Sequence, residues 1–397
     1  MRGEKEKIAK YFIALEYWKK DQNSTGYFWS EAIREMRSKG LHVDVIHPKL
    51  QGSDQAAKPY ARYQNAAFRT LKKLSVSVRI ALLILFLSRK TDCVVCGTNP
   101  ELLLALIVLV QKLKRFRTVV LVHDVFPENA LVAGVVRGDS RLYRILRTAI
   151  SWVYRQPDQI VVIGRDMKEL IEREKGRSKR TVFIPNWVDH ADVTPMDRRA
   201  SAILADLGWE EKIVFQFFGN IGRLQGVDNL LLGIDRVDHP KAAFLFVGNG
   251  VRAPAVQDYC KTHPERAVKY FTGFPDATRS DVLAACDVAL VSLSEGMYGL
   301  GVPSKAYFSM ASDRPIFAVV DKDSEIDRLI AEEQIGWVCR PGDPEGFAQA
   351  IHEICEAGPG SIAGSPRRPL LERYSKESSL DQFVNVVEDT YIWAKTL

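Results

Sequence analysis

Short, continuous apolar runs recur along the chain, separated by stretches whose apolar residues fall at helical spacing. KYFIALEYW opens the series, and VDVIHP, DCVVCGTNP, TVVLVHDV and QIVVIG continue it. Unbroken runs of this length predict parallel strands buried on both faces. The segments between them predict helices, so the first half reads as linked βαβ units. STGYFWSEAIREMRSKG reads as a loop, a helix with Ser24 or Thr25 as cap, and a glycine stop. A second series begins near residue 213 with IVFQFFG, AAFLFVGNG, VKYFTGF, DVALVSLS and PIFAVV. Helical spacing returns between these runs, in GVDNLLLGIDRV, DATRSDVLAACD, PSKAYFSMAS and SEIDRLIAEEQ, and in the terminal SSLDQFVNVVEDTYIWAKTL. The charged, proline-bearing PNWVDHADVTPMDRRASAI separates the two series. The expected fold class is α/β, with two doubly wound Rossmann-like domains facing a cleft. The expected divisions are 1–190, 191–375, and a helix at 376–397 that packs back toward the first domain. In such sheets ligands bind beyond the carboxyl ends of the strands.

Composition narrows the class. A chain of 397 residues, 46% apolar and 26% charged, is neither disordered, fibrous nor a disulfide-stapled miniprotein. The longest apolar runs, Ile80–Leu87 and Leu102–Val110, are too short to span a bilayer. MRGEKEKIAKYFIAL mixes acids with bases and lacks a long apolar core, so it does not read as a signal peptide. Six cysteines point to a reducing compartment. Cys93 and Cys96 form a C-x-x-C, but a strand turns residues three apart to opposite faces, which favours a structural reading.

Charge is uneven. Residues 1–190 hold 34 Lys+Arg and 19 Asp+Glu, a net of +15, whereas 191–397 hold 21 and 30, a net of −9. The asymmetry suggests two domains and an anionic partner for the first. Lys58 to Lys90 carries eight basic residues and no acidic one, with aromatic and aliphatic residues between them. Arg62, Arg69, Lys72, Lys73 and Arg79 beside large apolar groups suit an interfacial helix on anionic lipid. A core helix with a solvated basic face fits the same pattern.

Three segments carry chemistry. In IVFQFFGNIGRLQGVDNLLLGI a buried strand runs into a glycine-bearing turn and then a helix. Gly219 and Gly222 let the backbone approach a ligand, the helix amides attract an anion, and Arg223 adds a planar charged donor. The spacing is neither that of a dinucleotide fingerprint nor that of a P-loop. A tight turn with an exposed arginine is the plainer alternative. In SLSEGMYGLGVPSKAYFSMAS, Ser304 and Lys305 fall on the first helical turn after Pro303, and Glu295 lies on the preceding loop. In TVVLVHDVFPENA, His123 and Asp124 sit at the carboxyl end of a strand, where cleft chemistry belongs. Asn186 and Asp189 in VFIPNWVD sit at another strand end.

Taken in order, VHDVFPENA, IPNWVD, FGNIGRLQGVDNLL, FVGNG, FTGF and GVPSKAYFSMASDRP resemble the GT-B glycosyltransferases of family 4. Within that family the chain is similar to the WbuB-like group of bacterial surface-polysaccharide enzymes. The resemblance implies retaining transfer of a sugar from a nucleotide-sugar donor held by the C-terminal domain to an acceptor on the N-terminal domain. Arg223 matches the family's diphosphate-binding arginine, with Gly222 and Ser304 beside the phosphates. Gln225 stands where the family has a lysine, and on charge balance Lys305 restores it. Gly248, Gly273 and Phe274 fall in the base and ribose region, and His123 matches the histidine near the transferred sugar. Thr25, Gly26 and Asn186 fall on the acceptor side. The family's Glu-x7-Glu motif is not intact: Phe308 stands at the second glutamate, and Glu295 lies farther from the proline than the first usually does. His123 and Asp124 are expected to position the reacting groups rather than attack, with Glu295 as a third catalytic candidate. Expected partners are the nucleotide-sugar, a polyprenyl-linked or other glycan acceptor and an anionic membrane surface, without nucleic acid, cofactor or metal. The expected location is the cytoplasm, on the inner face of the membrane. Two alternatives are a sugar-nucleotide epimerase of similar fold and a non-catalytic, membrane-bound assembly subunit.

Overall fold

The computed structural model describes residues 10–16, 24–47, 66–174, 176, 181–274 and 278–392. The first series of elements is β1 (Tyr11–Ala14), α1 (Ser24–Ser38), β2 (Val43–Ile46), α2 (Ala66–Leu87), β3 (Cys93–Gly97), α3 (Leu103–Lys114), β4 (Arg117–Val122), α4 (Glu128–Val132), α5 (Arg141–Tyr154), β5 (Gln159–Val162), α6 (Arg165–Glu174) and β6 (Thr181–Phe183). The second is α7 (Ala202–Leu207), β7 (Ile213–Phe218), α8 (Val227–Arg236), β8 (Ala242–Val247), α9 (Ala253–Thr262), β9 (Val268–Phe271), α10 (Arg279–Ala284), β10 (Val288–Ser292), α11 (Lys305–Ala311), β11 (Ile316–Val319), α12 (Glu325–Glu333), β12 (Gly336–Cys339), α13 (Pro344–Ala357), α14 (Arg367–Glu372) and α15 (Lys376–Ile392).

Among the described residues the strands form two six-stranded sheets, ordered β2-β1-β3-β4-β5-β6 and β12-β11-β10-β7-β8-β9. Neighbouring strands pair in parallel, as their continuous apolar runs require. Both sheets are doubly wound, and the α/β class agrees with the sequence reading. In the first sheet the chain steps from β1 out to β2 and then back past β1 to β3. Right-handed crossovers therefore put α1 and α2 on opposite faces. α15 joins α1 and packs over β3, β4 and β5, while α3 touches both α2 and α5. Phe383 of α15 meets Phe28 and Trp29 of α1 edge-on, with centroids 5.6 and 5.9 Å apart. In the second sheet Phe215 and Phe217 of β7 stand in register beside Phe244 and Phe246 of β8, at 5.5 and 5.8 Å. These cross-strand pairs fix two of the strands whose loops build the site.

Two stretches cross between the domains side by side. Residues 184–201 lead from β6 to α7, and residues 373–375 lead back to α15. Val188 pairs with Ser375, and Lys376 is ion-paired to Glu31 at 3.2 Å and to Asp189.

Some local expectations are corrected. The first strand is shorter than KYFIALEYW. α1 already starts at Ser24, so Thr25 and Gly26 lie in its first turn rather than in a preceding loop. The docking of Phe28 and Trp29 extends the helix to that point. β12, a half-buried strand at the edge of the second sheet, is not among the strands expected from the sequence, nor are α9 and α13 among the helices. α2 buries Val76, Ile80, Ala81 and Ile84, but its outer stripe is not the basic face expected of a core helix. That stripe is Leu71, Leu74, Val78, Leu82 and Phe86, while Lys73 is paired with Glu101 at 2.6 Å. Lys58 and Arg62 lie outside the described residues, as does the side chain of Arg69. Cys93 and Cys96 are fully buried in β3, and burial pushes the Cys96 thiol up to about 12, as suits core residues.

Candidate active site

In a doubly wound sheet the ligand crevice opens where successive crossovers leave in opposite directions. In the second sheet this switch lies between β7 and β10. Their carboxyl ends carry the two loops singled out in the sequence, 219–226 and 293–304. Hydrogen bonds lace the loops together. Ser292 Oγ donates to the Gln225 carbonyl at 2.6 Å, Ser294 Oγ to the Arg223 carbonyl at 3.2 Å, and the Ser294 amide to the Leu224 carbonyl at 3.0 Å. Ser292 and Ser294 thus brace the site, which the sequence reading missed because an isolated serine carries no pattern. The next loop closes in from the side. A Cβ on Gly248 would lie 1.9 Å from the Gly219 carbonyl oxygen, and Gly219 itself has φ +114°, so both positions demand glycine. Gly248 therefore supports the turn from behind. Gly222 has an ordinary φ of −92°.

Lys305 reaches back from the start of α11 to this turn. Its Nζ donates to Gln225 Oε1 at 2.5 Å and lies over the Phe217 ring, 4.8 Å from the centroid. The family resemblance leaves a charge missing at Gln225, charge balance pairs it with Lys305, and the fold brings the two into contact. Both partners are neutral, so burial of the ammonium goes unopposed and pushes its pKa down to about 7. A partly buried lysine with an amide and a ring for company is a site poised for an anion. Arg223 is exposed at the rim of the same turn, and the Ser304 hydroxyl makes no capping bond to α11.

The first domain meets this site through β4. His123 and Asp124 follow its last residue, and both backbone amides point at Thr98 Oγ1, at 3.4 and 3.5 Å. The imidazole stands edge-on to Phe28 at 5.7 Å, and burial pushes its pKa down to about 4, so it is neutral near pH 7. Burial raises the Asp124 carboxyl, against a hydrogen bond from the Asn99 side chain that lowers it. Asp124 pairs with Gly301 of the β10–α11 loop as an antiparallel bridge, and the Val125 amide donates to the Leu300 carbonyl at 3.0 Å. His123 therefore sits where the two domains join, next to Asp124, whose partner Gly301 lies four residues before Lys305.

Comparison with known proteins identifies this architecture. Residues 26–192 match the model described as Glycosyltransferase Family 4, and residues 212–357 match that of Glycosyl transferases group 1. Probable glycosyltransferase WbjE of Pseudomonas aeruginosa is 42% identical over 391 residues, 96% of this chain and 98% of that protein. The chain belongs to glycosyltransferase family 4. The putative colanic acid biosynthesis glycosyl transferase WcaI of Escherichia coli K12 is 23% identical over 91% of this glycosyltransferase and 95% of WcaI. Among solved structures, Anabaena HepE in complex with UDP and glucose superposes with a TM-score of 0.68 at 15% identity, covering 96% of this chain and all of HepE. The two-domain architecture is the GT-B fold.

The remaining candidates of this family 4 enzyme are placed less centrally. Glu295 is exposed on the β10–α11 loop, which Asp321 anchors by accepting the Gly296 and Tyr298 amides at 3.3 and 2.8 Å. Phe308 lies one turn into α11 with the Arg279 guanidinium 4.6 Å above its ring. Gly273 is exposed after β9, and Phe274 packs on Phe271 at 4.9 Å. Asn186 folds its carboxamide oxygen onto the Trp187 amide at 3.0 Å within the linker. Away from the cleft, His239, His352 and Glu356 bring potential metal ligands within 4.8 Å. His239 Nδ1 accepts the Lys241 amide at 3.2 Å, which leaves the proton on Nε2 to bond Glu356 at 2.8 Å. Such a pairing is a hydrogen bond between neighbours, not an open ligand set.

Phe308 cannot accept a hydrogen bond from ribose, so another acceptor is expected, and Glu295 is the exposed carboxylate beside the site. Glu295→Ala is expected to cost more donor affinity than Phe308→Ala after correction for stability. The correction matters because Phe308 is partly buried against the core, and deleting even part of the about 3–5 kcal/mol that a fully buried phenylalanine contributes would lower stability. Calorimetry with a nucleoside diphosphate and its 2′,3′-dideoxy analogue decides the matter. If the Glu295 variant discriminates between them as strongly as the parent does, Glu295 is not the ribose acceptor.

Proposed function

We propose that this glycosyltransferase moves a sugar, with retention, from a nucleotide-sugar to a lipid-linked glycan during surface-polysaccharide assembly at the inner face of the membrane. The observation that carries the donor reading is Lys305 on Gln225 at the switch point of the second sheet. With Arg223 it offers two cationic donors to a diphosphate leaving group. HepE, which shares the fold, binds UDP and glucose, and the putative role of WcaI in colanic acid biosynthesis supports the polysaccharide setting. Charge developing on the diphosphate is met by Arg223 and Lys305. Neutral His123 can hold a sugar or acceptor hydroxyl at the domain junction, and Asp124 fixes that loop against Gly301. Water is kept out because the β10–α11 loop is stitched to the first domain. Incubation with a panel of radiolabelled nucleotide-sugars and a bacterial lipid extract tests the reading. Label in the lipid phase supports it. A changed sugar-nucleotide without acceptor, or no turnover with any donor, counts against it.

The membrane part rests on the face formed by α2, α3 and α5. No helix among the described residues is long and apolar enough to cross a bilayer. Phe86, Leu113 and Ile145 are nevertheless 79%, 74% and 66% exposed, with Arg79, Lys112, Arg141 and Arg144 around them. Exposed apolar side chains among cations suit the surface of an anionic bilayer. Phe86→Asp and Ile145→Asp are each expected to weaken sedimentation with anionic vesicles by about 1.5–3 kcal/mol, the value of burying one such side chain. Binding should also fall with salt. Vesicle binding unchanged by both substitutions sinks the idea.

A further inference from the structure

The two domains also meet at a pair of helix starts. α6 begins at Arg165 in the first domain and α12 at Glu325 in the second. Each start faces the other, so two positive dipole ends oppose one another. Two carboxylates, each 1% exposed, relieve this. Glu325 accepts the Arg165 backbone amide at 2.8 Å, and the Arg165 guanidinium through Nε at 2.9 Å and Nη2 at 3.1 Å. In return, Asp166 accepts the Glu325 backbone amide. Its two oxygens also take the Met167 amide at 2.8 Å and the Gly299 amide at 3.0 Å. Each domain thus caps the other's helix.

The Gly299 bond matters for the site. Four consecutive residues of the β10–α11 loop are tied to the first domain. Tyr298 Oη donates to Glu169 at 2.5 Å, the Gly299 amide to Asp166, the Leu300 carbonyl accepts from Val125, and Gly301 pairs with Asp124. The loop then enters Pro303, Ser304 and Lys305. A Cβ on Gly299 would lie 2.9 Å from the Asp166 carbonyl oxygen, so loop and helix are in close contact.

We infer that Asp166 and Glu325 are positioning residues: their reciprocal caps hold the acceptor domain and the donor loop in the one arrangement that brings His123 beside the donor. The inference rests on the glycosyl-transfer reading for its catalytic half. Its structural half, that the caps hold the domains together, stands by itself. Neither carboxylate touches the diphosphate turn, so their loss should spare donor binding and harm transfer. The two caps act as a unit, so the double variant should be little worse than either single one.

The test uses Asp166→Asn, Glu325→Gln and the double variant in the full chain, with UDP as the binding probe. Small-angle scattering is expected to show a larger radius of gyration in all three. UDP affinity is expected to stay within threefold of the parent. Turnover is expected to fall at least tenfold, with a larger share of donor lost to water. Where Asp166→Asn fails to fold, Glu325→Asp, which keeps the charge and shortens its reach, takes its place. An unchanged scattering profile overturns the inference, as does UDP affinity falling in step with turnover, which marks a general structural role. If the parent itself transfers no sugar, the functional reading fails, and scattering alone still decides whether the caps hold the domains.

Discussion

Lys305→Met is expected to weaken nucleoside diphosphate binding by about 1.5–3 kcal/mol, roughly tenfold to a hundredfold, the worth of a hydrogen bond to a charged group. Methionine keeps an apolar chain over Phe217, so the fold should survive the change. The pH dependence is more telling than the loss itself. Free Lys305 has its pKa pushed down to about 7 by burial among neutral groups. The bound diphosphate favours the ammonium and raises that pKa. Below pH 7 the lysine is charged before the ligand arrives, so it adds no pH dependence of its own. Above pH 7 binding must take up a proton, so affinity falls as pH rises, by at most tenfold per unit, until the pKa of the complex is reached. Calorimetry at pH 8 in buffers of different ionisation heat should therefore register proton uptake in the parent and none in Lys305→Met. Arg223→Ala should lose affinity in the same range with the parent's pH profile intact, because a guanidinium stays charged throughout. Parent-like binding by both variants would place the diphosphate elsewhere.

The elements that the sequence disclosed are those with strong local pattern. Strands such as VVLV in β4 and AAFLFV in β8 are apolar throughout because helices cover both faces, and that continuity is visible without a structure. β12, within IGWVC, is as continuous but only half-buried at the edge of its sheet, and the glycine at its start blurs it into a turn. Contacts made by single residues across the fold divide in the same way. Lys305 and Gln225 are paired by the resemblance, which puts a lysine where Gln225 stands and leaves Lys305 to restore the charge. Asp166 and Glu325 gave no such signal. An acid in the first turn of a helix already satisfies that helix's own dipole, so nothing in the sequence says that it serves a helix in the other domain. For a related reason the pattern of α2 left two readings open, an interfacial helix and a core helix with a basic face. A period of 3.6 shows which residues share a face but not which face the sheet takes, and both faces of this helix are apolar.

His123→Ala is expected to lower turnover about a hundredfold or more while leaving diphosphate affinity within about threefold of the parent, since misplacement near 1 Å at a reacting centre costs that much. The separation follows from placement and charge. His123 leaves β4 of the first domain, while Arg223 and Lys305 hold the diphosphate in the second. Burial keeps its imidazole neutral down to about pH 4, so it adds no positive charge for the diphosphate to feel. A neutral ring can hold a hydroxyl through one nitrogen, and its edge-on contact with Phe28 fixes which way it points. Asp124→Ala should act in the same direction by removing the carboxylate that the Asn99 side chain holds, one residue from the ring. The low pKa also sets the shape of the pH profile. Protonation of His123 falls below the working range, so turnover between pH 5 and pH 8 should show no limb that disappears in His123→Gln. Steady-state turnover set beside calorimetric binding of the diphosphate checks both statements. Large losses of diphosphate affinity with turnover preserved would contradict the division of labour between the domains. A limb near pH 6 that vanishes in the glutamine variant would mean that the histidine is more open to water than its burial against Phe28 implies.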